Sequence, residues 1–277
     1  MVESHWMQTM GRVAFLNCDP LFYGLESDWN ILAAPPAWLT GHLLRKDCIL
    51  APIPAADYAR HADELILLPD IGICSRGEVG SVLVFGNKPL DQMKSIALPT
   101  DSATSVQLLK YLLKKRNLNP EFVLMGPDLE GMLKQCEGAL LIGDRALEGA
   151  KLAPDTVQLD LGKDWLKFTH KPMVFGVFAA RKDTPIESLR HAHAVLNDNL
   201  HHFEQSAEQR QSVIEWAMTH SHLDYERLDR YFGEVFNRID SENLSGLNEF
   251  LTKACVLESG AEFAWLLIFI IVNVILS

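Results

Sequence analysis

The sequence predicts an α/β protein of two lobes, and three observations carry that prediction. Apolar strand runs alternate with amphipathic helical stretches through the first two thirds of the chain, the pattern of a layered α/β architecture with largely parallel sheets. Two of the apolar strands, LVFG ending at Gly86 and VFGVF around Gly176, carry a glycine where the character of the chain changes. Between them a block of about ninety residues, on the order of the smallest common domains, has its own strand–helix pattern. If both glycine strands are crossings, residues 11–86 plus 177–260 make one discontinuous lobe and 87–176 the other, with a ligand cleft and hinge between them. The alternative is one doubly wound sheet that contains both glycines.

The elements follow in order. RVAFL (12–16) reads as the first strand, and Pro36 opens a helix that runs to Arg45, with proline in its first turn. CILAPIP (48–54) is a buried strand that ends at a proline-flanked loop, followed by the short helix AADYARHA. ELILLP and GSVLVFG are apolar strand runs. In the middle block come strand 95–98, helix 104–116, strand 121–125, helix 128–135 and strand 138–142, which runs into Gly143 and Asp144. VQLDL (157–161) and the long apolar MVFGVFAAR follow, and beyond Pro185 four amphipathic segments succeed one another.

Composition narrows the function classes. Across 277 residues, hydrophobic content of 48% and charged content of 22% describe a chain with a sizeable core. The formal net charge of -11 argues against nucleic acid, which is bound through concentrated Lys and Arg. Five scattered cysteines, Cys18, Cys48, Cys74, Cys136 and Cys255, form no C-x-x-C pair and suggest reduced thiols. The opening MVESHWMQTMGRV has no apolar run of signal-peptide length, so the expected compartment is the cytoplasm. At the other end FAWLLIFIIVNVIL (263–276) is nearly all apolar. It is short of the roughly eighteen residues that a membrane span needs, so a buried terminal strand or helix, or a reading-frame accident, is favoured over an anchor. Exposed, such a run would be sticky and could join two copies into a homodimer. The segment 261–277 is therefore set apart as a tail of open role.

Three stretches combine a tight turn, small polar side chains and a helix start: Asn17 in LNCDPLFYG, Ser81 in CSRGEVGSVLVF, and DSATS before VQLLKYLL. Ser102, Thr104 and Ser105 enter a helix whose first N–H groups have no intrahelical partners, beside hydroxyl donors and the positive end of the helix dipole. That is a receptacle for an anion. Without a glycine-rich phosphate loop, a small carboxylate fits it better than a phosphate; an ordinary helix cap is the plain alternative.

Seven segments then stand in order: LNCDPLFYGLE, PAWLTGHLLRKDCILAPIPAADYAR, GICSRGEVGSVLVF, IALPTDSATSVQLLKYLL, PDLEGML, ALLIGDRALE and LDLGKDWLKFTHKPMVFGVFAARKD. Together, over roughly residues 11–250, they resemble the chorismate dehydratase family of the futalosine route to menaquinone. The resemblance implies a type II periplasmic-binding-protein-like fold with two hinge crossings, and a lyase that removes water from chorismate to give 3-[(1-carboxyvinyl)oxy]benzoate without a cofactor. By resemblance, Asn17 and Ser81 are the catalytic pair at the reacting ring. Ser102, Thr104 and Ser105 suit a substrate carboxylate, and Arg76, Tyr58 and Asp144 are further candidates for substrate binding, although a structural ion pair is the plainer reading of Arg76 and Asp144. No His, Glu or Lys lies within LNCDPL, SVLVF or DSATS. A ring-proton abstraction ordinarily wants a tuned base, so the enolpyruvyl carboxylate of the substrate is the expected proton acceptor.

Other features carry less. His191 and His193 lie two apart on a predicted helix and point to different faces, and His201, His202, His220 and His222 read as a solvated surface rather than a metal site. Trp29, Trp38, Trp165 and Trp216 are expected in core or cleft walls. Two rival functions remain at this level: a cytoplasmic protein that captures a small anion without chemistry, and the sister 1,4-dihydroxy-6-naphthoate synthase. The sister enzyme's amino-terminal cysteine–proline–asparagine–aspartate pattern is absent where LNCDPLF stands.

Overall fold

The computed structural model describes residues 5–255; the apolar tail at 261–277 and the last residues assigned to the first lobe lie outside them. The first half runs β1 (Thr9–Val13), α1 (Asp19–Phe22), β2 (Asn30–Ala34), α2 (Pro36–Leu44), β3 (Ala51–Pro54), α3 (Ala55–His61) and β4 (Leu65–Ser75). The middle comprises β5 (Val82–Gly86), β6 (Ser95–Pro99), α4 (Thr104–Lys115), β7 (Glu121–Met125), α5 (Leu129–Gln135), β8 (Gly138–Ile142), α6 (Gly143–Leu152) and β9 (Val157–Asp160). The return consists of α7 (Leu161–Thr169), β10 (Met173–Arg181), α8 (Ile186–Gln205), α9 (Ala207–Thr219), α10 (Tyr225–Glu234), β11 (Phe236–Arg238) and α11 (Ser241–Lys253).

Two lobes form around two separate sheets. One has the order β11-β4-β10-β3, and the other β7-β6-β8-β5-β9. The β1–β2 pair continues the first, since Gly11 donates to the Leu50 carbonyl at 2.8 Å and Ile49 to that of Thr9 at 2.9 Å. Pro52 and Pro54 confine β3 to the edge of the four-stranded ladder, because a proline offers no N–H to a further neighbour. Side-chain alternation is legible in β5: Leu83 and Phe85 fill the smaller core under α5 and α6, while Val82 and Val84 join the main one.

The sheets are mixed rather than largely parallel. β6 pairs in parallel with β7 and β8, but β5 is antiparallel to both neighbours, and so is β10. Parallel neighbours need a helical crossover within one lobe. β5 and β10 instead arrive from the opposite lobe and are free to enter the other way. Both glycine-bearing strands are interior to a sheet rather than crossings: β5 lies between β8 and β9, and β10 between β4 and β3. A strand hydrogen-bonded along both edges cannot also span the gap between sheets. The chain passes between them at 76–81 and returns at 161–172, where α7 occupies most of the passage.

Tertiary packing sets several further elements that the local pattern did not single out. β2, α6, α7 and β11 are of this kind. Trp165 is fully buried and Trp29 nearly so, whereas Trp38 is 63% exposed, outside both core and cleft wall.

Candidate active site

The polar turn Leu16–Cys18, the passage before β5 and the entrance of α4 converge on one pocket. Asn17, Ser81, Ser102, Thr104 and Ser105 line it together, against apolar walls that include Val13, Phe15, Ile53, Ile73, Val79 and Phe175. Five polar groups separated by up to 88 positions in sequence are thus brought to one surface (Asn17 to Ser105). No charged side chain is among the lining residues.

Thr104 and Ser81 are held from behind by direct hydrogen bonds, and Asn17 through its neighbour Leu16. Asn17 is buried, and its carboxamide oxygen has no partner, which leaves an acceptor free within the pocket wall. The backbone N–H of Leu16, one residue earlier, donates to Asp144 at 3.1 Å, tying that turn to the first turn of α6. Thr104 Oγ1 accepts from the Ala56 N–H at 3.2 Å, so its own hydroxyl proton is free to point elsewhere. α4 begins after Ala103, and no side chain caps it; its first N–H groups keep the donor capacity that an anion uses. Ser81 accepts from the Tyr231 hydroxyl at 3.2 Å, and its carbonyl accepts from the Gly143 N–H at 2.8 Å. Gly143 adopts φ +61°, and a Cβ there would lie 2.6 Å from the Phe15 ring. Only glycine lets α6 start this close to the pocket wall.

Asp160 controls the approach to Ser81. Its carboxylate caps α7 by accepting from Lys163 N–H at 2.9 Å and also receives Gly80 N–H at 2.9 Å and Val79 N–H at 3.0 Å. The two passages between the sheets are thereby fastened to each other at the residue before Ser81. Burial nonetheless raises the Asp160 pKa above the usual carboxylate value, against these three donors.

Behind Asn17 lies a charged layer. Asp19 is fully buried, ion-paired with Arg12, and 3.1 Å from His220 Nε2. Desolvation raises the pKa of Asp19 even with these partners, while the hydrogen bond to Asp19 raises that of His220. Arg12 stacks over the Trp216 ring at 5.1 Å. Asp144 is pushed up to about 7 by burial, with Asp19 adding to the rise. The sequence reading missed Arg12, Asp19, His220, Tyr231 and Asp160. Asp160 three residues before Lys163 was a local cap signal; Arg12 pairs with Asp19 seven residues on, while His220 and Tyr231 meet their partners only through long-range contacts.

Three predicted residues are not brought to the pocket. Arg76 is half-exposed and pairs with Glu242 at 2.8 Å and Asp240 at 3.2 Å, which spends its charge on the start of α11. Tyr58 is buried, with its hydroxyl unpartnered, in a helix packed against β10, α4 and α11 rather than in the cleft lining. Asp144 sits one residue beyond the lining Gly143, with its carboxylate engaged by Leu16. Among the histidines, His193 bonds the Pro69 carbonyl at 2.9 Å while His191 packs on Trp29, on another side of α8. His220 is exposed, as a solvated face implies, yet its Nε2 also reaches buried Asp19. Among the described residues no three His, Cys, Asp or Glu gather as metal ligands.

Comparison with known proteins gives this geometry a family. A family model described as menaquinone biosynthesis matches residues 8–255. The chain belongs to the menaquinone biosynthesis family. A family relative, the chorismate dehydratase of Thermus thermophilus, is 35% identical over 204 residues, 66% of this chain and 75% of that protein. This agrees with the resemblance read from the seven ordered segments. Solved structures support the fold alone. A Candida albicans gene product, described as having the generic periplasmic binding protein fold, aligns with TM-score 0.66 at 12% identity, over 97% of this chain and 94% of that one. The alkanesulfonate-binding protein SsuA of Xanthomonas axonopodis pv. citri, bound to MOPS, aligns with TM-score 0.63 at 11% identity, over 90% and 94%. The family member described here therefore has the two-lobed periplasmic-binding-protein-like fold expected from its sequence.

Proposed function

We propose that this protein is a chorismate dehydratase, a hydro-lyase that converts chorismate to 3-[(1-carboxyvinyl)oxy]benzoate and water in menaquinone biosynthesis. The observation that carries the reading is a pocket of neutral donors, Asn17, Ser81, Ser102, Thr104 and Ser105, with no charged lining residue, in a chain of this family. In the reaction the C3–H and C4–OH bonds of the ring break and the ring becomes aromatic. The elimination is redox-neutral and needs no cofactor. The Ser102–Ser105 helix entry takes one substrate carboxylate through N–H and hydroxyl donors. The enolpyruvyl carboxylate accepts the C3 proton, since the pocket offers no side-chain base. Asn17 and Ser81 orient that carboxylate and donate to the departing oxygen, where fixed dipoles in a dry site are most effective.

The free space at the centre of the pocket is about 60 Å³, well below the roughly 300 Å³ of a small-molecule site. Substrate entry on this reading requires the lobes to part at 76–81 and 161–172, and closure then excludes water. The buried free thiols Cys18, Cys48, Cys74 and Cys136 suit a reducing compartment and so a cytoplasmic enzyme. Incubation with chorismate, followed by ultraviolet spectra and mass spectrometry, tests the proposal. Loss of one water and appearance of an aromatic product is the expected result; chorismate recovered unchanged while still binding would make the protein a carrier.

A further inference from the structure

We propose that Tyr231 is a positioning residue that sets the direction of the Ser81 hydroxyl, an inference that rests on the dehydratase reading. Tyr231 lies on α10, 150 positions from Ser81 in sequence, and its hydroxyl meets Ser81 Oγ at 3.2 Å in a fully buried contact. A serine hydroxyl has one proton and two lone pairs. With Tyr231 donating to one lone pair, the Ser81 proton is turned away from α10, and Ser81 itself lines the pocket. Ser81 is thereby kept as a donor to the substrate oxygen rather than to the protein. Burial raises the Tyr231 pKa far above its ordinary value, so the phenol stays protonated and its donor role is permanent.

The approach of α10 is built for this contact. Arg227, Tyr231 and Glu234 recur at helical spacing on one face of α10. That face lies on the turn that ends at Ser81. Gly80 has φ +64°, and a Cβ there would fall 2.4 Å from Glu234 and 2.6 Å from Arg227. Arg227 and Glu234, 3.0 Å apart, thus clasp each other over the glycine while the Arg227 guanidinium sits 5.7 Å above the Tyr231 ring. From the other side Asp160 holds the Val79 and Gly80 N–H groups. The backbone before Ser81 is fixed from two directions, and the remaining freedom is the rotation of its hydroxyl. That is the freedom Tyr231 removes.

The test is a double-mutant cycle on chorismate turnover with wild type, Tyr231→Phe, Ser81→Ala and the double variant, alongside thermal melts of each. Loss of one orienting hydrogen bond predicts a kcat about tenfold lower in Tyr231→Phe, with KM changed less than about twofold. In the Ser81→Ala background the same change should have no further effect, because there is no hydroxyl left to orient. A tyrosine that only supports packing would multiply the loss in both backgrounds, and an unchanged kcat in the single variant also overturns the role. If Tyr231→Phe melts early, the cycle is run at a temperature at which all four proteins are folded. Wild-type protein that leaves chorismate untouched overturns the dehydratase reading and this role with it, whereas an active wild type with additive variants overturns the role alone.

Discussion

The pocket and the layer immediately behind it are opposites in charge. The pocket presents hydroxyls, an amide and helix N–H groups, without a charged side chain among its lining residues. A few residues away, Arg12, Asp19, His220 and Asp144 crowd together, with Asp19 wholly buried. The two layers are joined by single backbone and side-chain bonds, such as Leu16 N–H to Asp144. Charge here holds the scaffold, while neutral dipoles face the pocket. An anionic substrate held by neutral donors leaves its own carboxylate basic, which substrate-assisted proton removal requires; a lining Arg or Lys would depress that basicity.

The largest effect on stability is expected from removing a charge in the rear layer. Asp19→Ala should destabilise the fold by about 2–3 kcal/mol, since it leaves the partly buried Arg12 without its counter-ion. Chemical denaturation measures this, and a loss below 1 kcal/mol would mean the layer is not a structural unit. Next comes the front layer. Asn17→Ala and Ser81→Ala should each lower kcat by about 10²–10³-fold, the range for loss of one preorganised donor, with melting temperatures near wild type. Near-normal rates in both would remove them from the chemistry. Thr104→Val should raise KM about tenfold and leave kcat within a few-fold, as loss of one hydrogen bond to a carboxylate implies; an unchanged KM would move the carboxylate away from α4.

The smallest effect sharpens the boundary between the layers. Asp144 has its pKa raised by burial from 3.8 to about 7. The folded protein therefore holds this proton more tightly than the unfolded chain, and stability falls as pH rises from about 4 to 7. The full penalty of the buried charge is present above 7 and absent below 4. Asp144→Asn keeps an acceptor for Leu16 N–H and removes the titration. Melting curves should show the variant more stable than wild type at pH 8 and not at pH 4; a difference that is the same at both would refute the assignment.

Much of this was legible in the sequence. The DSATS helix entry is a local signal, because a helix start is decided within one turn of chain. The strands at 121–125, 138–142 and 173–181 were also plain, as short apolar runs between breakers. Sheet direction was not, since β5 and β10 read like any buried strand and only their arrival from the opposite lobe makes them antiparallel. The same holds for Arg76, whose charge could serve a ligand or α11 equally well until the fold puts Asp240 and Glu242 beside it.

By itself the sequence determined the α/β alternation, the position of Asn17, Ser81 and the Ser102–Ser105 segment in turns and helix starts, and, through seven ordered motifs, the family. These depend on neighbours within a few residues, whose geometry the chain carries with it. The tertiary structure alone decided that these segments share one pocket, that Asp144 and Arg76 serve the scaffold, and that Asp19 meets His220 and Tyr231 meets Ser81. Those last contacts join residues 201 and 150 positions apart, and no local preference encodes a meeting that exists only once two sheets have packed.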